Sequence, residues 1–81
     1  MKIKERLIRC FAAVFSEREE KTIPFLEVGN TKEWDSLAFV MLMNVVQQEF
    51  SIEIPIGELE QMNSFEKFLQ KVELLVKEVE K

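Results

Sequence analysis

Phe65, Phe68, Leu69, Val72, Leu75, Val76 and Val79 recur at intervals of three and four residues. That spacing puts them on one side of an α-helix but would scatter them over both faces of a strand. The segment therefore reads as a helix with a single buried stripe. The same reading applies at the other end of the chain. Ile3, Leu7, Ile8, Phe11, Val14 and Phe15 form a second stripe, with Lys2, Lys4, Glu5, Arg6 and Arg9 on other faces. It fades near Ser16. A chain of 81 residues buries only about 60% of its unfolded surface, so both stripes have to be used in one core. One domain over residues 1–81 is expected.

The middle of the chain supplies two further helices. Asp35 is a preferred N-cap, because its carboxylate can accept from the free amides of the first turn. Trp34 and Phe39 hold the two positions of a hydrophobic staple around it. Phe39, Leu42, Met43, Val46 and Phe50 then make a core face, while Leu37, Met41, Asn44 and Gln48 form a separate stripe that looks outward. Ile52-Glu53-Ile54 alternates but is short and has no partner run. Pro55 suits the first turn of a brief third helix with Ile56, Leu59 and Met62 facing inward. Gly57 weakens that helix. Asn63, with Glu66 three residues on, is a capping pattern for the last one. Between the first two helices lies a long loop, Thr22 to Glu33, in which Gly29-Asn30 has turn chemistry and Ile23, Phe25, Leu26 and Val28 are expected to pack across the helix ends. The expectation is an all-α fold, a small antiparallel four-helix bundle of three longer helices and one short third helix.

Charge and composition narrow the function. The net charge is −4, but it is unevenly spread: residues 33–66 contain seven acidic groups and no Lys or Arg. Such a segment repels phosphate backbones, so nucleic acid is not an expected partner, and it favours proteins that present basic patches. No apolar run of about 18 residues occurs, so no membrane insertion is expected, and the amphipathic N-terminus does not read as a secretory signal. The chain has one cysteine and no histidine, which removes internal disulfides, zinc-finger spacing and Cys–His catalysis. Cys10 reads as a semi-buried thiol. Glu49, Glu53, Glu58 and Glu60 read as solvated charge and not as a cation cage, so no metal is expected.

Ser36 occupies the first position of the second helix, where its hydroxyl points away from the helix start and the helix dipole is positive beneath it. Taken alone, Asp35-Ser36 is a capping pair. With its surroundings, Trp34-Asp35-Ser36-Leu37 resembles the attachment motif of acyl carrier proteins. The resemblance continues through Val40, Leu42 and Val46 to Glu49-Phe50 and Glu53-Ile54-Pro55. It extends to length, helix order, long first loop and acidity. It implies a non-enzymatic, cytoplasmic, monomeric carrier. A phosphopantetheinyl transferase would place 4′-phosphopantetheine from coenzyme A on Ser36, with Asp35 and Leu37 as flanking recognition residues. Acyl-loading and acyl-processing enzymes would then be its partners, meeting Leu37, Met41, Asn44 and Gln48. Trp34 has two readings, as a buried staple or as a contact for partner enzymes. Where carriers of fatty-acid synthesis usually have acidic residues after the serine, this chain has Ala38, Met41, Gln47 and Gln48. That departure implies a specialised carrier, of polyketide-like, modified-lipid or aminoacyl chemistry. An unmodified helical interaction module is the alternative.

Overall fold

The computed structural model describes residues 2–79, with side chains through Lys77. Three α-helices carry the fold: α1 (Ile3–Val14), α2 (Ser36–Phe50) and α3 (Phe65–Val79). Short 3₁₀ turns at Glu20–Phe25 and Val28–Asn30 lie between α1 and α2, and another at Ile56–Gln61 lies between α2 and α3. The described residues contain no strand. Their one isolated β-bridge pairs Glu27 with Ser64, tying the first connection to the start of α3 through Val28 N–H to the Asn63 carbonyl and Phe65 N–H to the Leu26 carbonyl, each 2.9 Å.

The helical stripes meet where the sequence places them. Leu7 and Phe11 of α1, Leu42 and Val46 of α2, and Phe68 and Val72 of α3 are fully buried. Val79, the last member of the α3 stripe, falls outside the described side chains. Phe11 is the hub. Its ring meets Phe65 at 5.0 Å, Phe68 at 5.3 Å and Trp34 at 5.6 Å between centroids, each edge to face, the arrangement that the ring quadrupole favours. Trp34 and Phe39 both converge on Phe68, at 6.1 and 6.4 Å. The staple at the start of α2 thus closes on a ring from α3.

The short elements depart from expectation. The long loop is largely wound into 3₁₀ turns, and three residues per turn puts Ile23 and Leu26 on one inward face. Phe25, between them, is left 78% exposed, and Val28 also stands out. Neither packs across the helix ends. The turn chemistry resides in Asn30. Its Oδ1 accepts from Glu27 N–H at 3.0 Å and from the hydroxyl of buried Thr31 at 2.8 Å, and its Nδ2 donates to the Phe25 carbonyl. The third helix is a 3₁₀ turn with Pro55 at its N-cap. Met62 is buried and Leu59 half-buried, but Ile56 is 86% exposed, because no element covers the start of that turn. Asn63 does not cap α3, because the helix begins at Phe65 and Asn63 lies one residue too early, with its carbonyl accepting the Val28 N–H in the bridge. Ser64 does so instead, its Oγ accepting from Lys67 N–H at 3.1 Å.

Phe11 is fully buried with four aromatic neighbours, so Phe11→Ala should cost about 3–5 kcal/mol. That is a large share of the stability of a domain this size, and circular dichroism in urea should show the variant largely unfolded. Trp34→Phe keeps a ring and removes an indole N–H that is buried without a partner among the described residues. It should shift the urea midpoint less than Phe11→Ala does.

Candidate functional site

Three consecutive residues fix the start of α2, and each does so differently. Glu33 accepts from Arg18 through both carboxylate oxygens, at 2.8 Å each, the bidentate geometry that suits a guanidinium best. Trp34 is 6% exposed, its ring 5.6 Å from those of Phe11 and Phe15. Asp35 accepts the Ala38 N–H on Oδ1 at 2.9 Å, the N-cap bond that the sequence predicts. The next residue, Ser36, is exposed. Its side chain therefore leaves a backbone anchored immediately upstream, at the positive end of a fifteen-residue helix.

The outward stripe lies where its spacing puts it: Leu37 and Met41 are 70% and 45% exposed, and Asn44 and Gln48 are exposed. Asp35 is exposed too, with one carboxylate oxygen committed to its own helix. Trp34 corrects the partner-contact reading. Its ring lies inside the core, so it holds the site from below and presents almost no surface to a partner.

Sequence reasoning missed the surface next to this stripe. A groove of about 550 Å³ runs between α2 and the segment that follows it, lined by Val40, Met43, Ile52, Ile54, Ile56 and Leu59 among others. Ser36 heads the same line of α2, since residues four apart are neighbours on a helix and Val40 is the next member. The groove is held open by a backbone feature. Ser51 takes the left-handed conformation, with φ 53°, ending α2 and reversing the chain. Gln47 Oε1 then accepts the Ile54 N–H at 2.8 Å, pinning the returning segment beside the helix. The only hint in the sequence was the apolar run Ile52-x-Ile54-Pro55-Ile56, too short to assign a face.

The acidic middle of the chain is less free than its composition suggests. Glu33 pairs with Arg18, Glu49 with Arg6 at 2.8 Å, and Glu58 with Lys71. Each cation comes from outside residues 33–66. Among the described residues no group of three or more potential ligands could hold a metal ion, and no helix is long and apolar enough to cross a membrane. Cys10 is buried against α2, and burial, with the Glu49 carboxylate adding to it, pushes its thiol up to about 11. It is held protonated and is a poor nucleophile.

The Arg18 hydrogen bonds hold the Glu33 carboxyl down, from its ordinary 4.5 to about 2. A value lowered in the folded state adds stability above the unfolded value and gives it up as pH falls through the folded one. Wild type should therefore outlast Glu33→Gln in urea at neutral pH, and the gap should close between about pH 4.5 and 2. A gap unchanged at pH 2 would assign the effect to something other than this carboxylate. Compared with family models, curated proteins and solved structures, the chain matches none.

Proposed function

We propose that this chain is a carrier protein in which Ser36 bears 4′-phosphopantetheine and presents acyl groups, as thioesters on that arm, to biosynthetic enzymes. The observation that carries the reading is the contrast between Ser36 and the residues before it. A serine that a modifying enzyme must reach, and that must then hold a swinging arm, needs an exposed hydroxyl on a backbone that does not move with it. Ser36 is exposed, while Glu33, Trp34 and Asp35 are clipped, buried and capped. In the transfer, the serine oxygen bonds to the pantetheine-bearing phosphorus of coenzyme A, adenosine 3′,5′-bisphosphate leaves, and the hydroxyl proton goes to a base of the transferase. The carrier itself supplies position and no catalytic group.

On this reading the three α-helices and the turn at Ile56–Gln61 act as the members of a small antiparallel four-helix bundle. Acyl-loading and acyl-processing enzymes in the cytoplasm are the partners, and the carrier is monomeric. The uncharged outer face of α2 supports a dedicated pathway over general fatty-acid synthesis. Aminoacyl or peptidyl cargo on the same arm is a variant of the same chemistry. The exposed Leu37 and Met41 also favour a second reading, an unmodified helical module that binds a partner through this face.

Incubation with a broad-specificity phosphopantetheinyl transferase and coenzyme A, followed by intact mass measurement, separates the two. The carrier gains one phosphopantetheine group, and Ser36→Ala gains none. An unchanged wild-type mass leaves the interaction module standing.

A further inference from the structure

Glu33 stands where two turns meet. Trp34 N–H donates back to the Thr31 carbonyl and Asp35 N–H to the Glu33 carbonyl, both at 3.0 Å. The peptide at Glu33 therefore sets the direction in which the chain enters its cap. Asp35 then accepts twice from α2, on its carboxylate from Ala38 N–H and on its carbonyl from Phe39 N–H. Side chains leave this double turn in opposite senses: Trp34 goes into the core and Glu33 goes out. A single buried ring would fix one point and leave the backbone free to pivot about it.

Arg18 removes that pivot. Its backbone N–H donates to the Phe15 carbonyl at 3.0 Å, which closes the chain against the last turn of α1, and its side chain is half-buried. From there the guanidinium grips both Glu33 oxygens in a planar fork that a lone ammonium cannot reproduce. The pair is charged at neutral pH, since the Glu33 carboxyl is held at about 2. Phe15 and Trp34 join the same two elements from inside, with rings 5.6 Å apart. The end of α1 and the start of α2 are thus tied twice, once in the core and once in water, immediately before Ser36. A hydroxyl that must line up with the P–O bond it displaces gains from such a mounting, because about an ångström of misplacement can cost about a hundredfold in rate.

We infer that Arg18 and Glu33 are positioning residues for the modification of Ser36, their ion pair fixing the backbone from which the hydroxyl attacks. The inference rests on the carrier reading. Both residues act through the turns that meet at Glu33 and contribute no group to the transfer itself.

The transferase reaction distinguishes positioning from stability, because the two move different constants. A carrier that binds well but offers a wandering hydroxyl loses maximal rate at unchanged half-saturation. Partial unfolding, or loss of a direct contact with the transferase, raises half-saturation and leaves the maximal rate alone. Modification is followed in single turnovers over a range of excess transferase at saturating coenzyme A, so that product release does not intervene. Arg18→Met and Glu33→Gln should each lower the maximal rate about three- to fivefold, with half-saturation within about twofold of wild type. The double variant should fall no further than either single one, since both remove the same pair. Circular dichroism at the assay temperature checks that all three are folded. An unchanged maximal rate, a change confined to half-saturation, or losses that multiply in the double variant overturn the positioning role and leave the carrier standing. Wild type that is never modified overturns both.

Discussion

The edge of the Trp34 indole against the Phe11 ring holds the architecture of the site. Phe11 belongs to the first helix, Trp34 to the connection before the second, and Phe68, which touches both, to the third. One aromatic cluster therefore sets where all three helices stand and where α2 begins. The residue that follows the cap is exposed because the one before it is buried. An indole at this place contributes area and stiffness; its N–H finds no partner among the described residues, so hydrogen bonding does not account for it. Two χ angles locked inside a packed cluster leave the backbone at Asp35 little freedom.

A second constraint is electrostatic and works at the periphery. Seven acids without an internal cation, in a domain of 81 residues, would repel one another if left to themselves. Arg6, Arg18 and Lys71 reach in from α1, from the residues after it and from α3. Exposed pairs of this kind contribute little stability one by one. Their effect here is geometric, because each joins the central segment to a different flanking element. Arg6 shows the economy of this. Its guanidinium bonds Glu49 and stacks 4.5 Å over the Phe50 ring, so the end of α2 is fixed by a charge and by its aromatic neighbour together.

Much of this was legible in the sequence, and the division follows physical period. The α-helical stripes and the Asp35 cap were readable because 3.6-residue periodicity persists over a dozen positions and because a cap is a local bond. The 3₁₀ turns were not. At three residues per turn, over only three to six residues, an inward Ile23 and an outward Phe25 look alike in composition. Ser64 and not Asn63 caps α3 because the helix begins at Phe65, beside a bridge to residues 26–28, a contact between segments some 35 residues apart that no local pattern encodes. Trp34 was legible as a staple with a buried ring, but a partner contact stood open beside that reading, since its burial depends on rings from α1 and α3. The groove behind Val40 was invisible for the same reason. It is made by a chain reversal at Ser51, where a non-glycine residue adopts a left-handed conformation, a choice sequence statistics disfavour.

The exposed apolar side chains deserve a physical account of their own, because a domain this small has few to spare. Each large aliphatic group left in water forgoes roughly 1.5–3 kcal/mol of burial, against a total stability of the order of 5–15 kcal/mol. Scattered singly they would need no explanation. Leu37, Val40, Met41 and Ile56 are not scattered, and polar replacements at Leu37 and Met41 would leave the core untouched, since neither reaches it. The chain thus keeps apolar groups where folding has no use for them, on the helix face that opens beside an exposed hydroxyl. Stability does not explain that placement; the carrier reading proposed for the chain does, because it needs a face that partner enzymes cover.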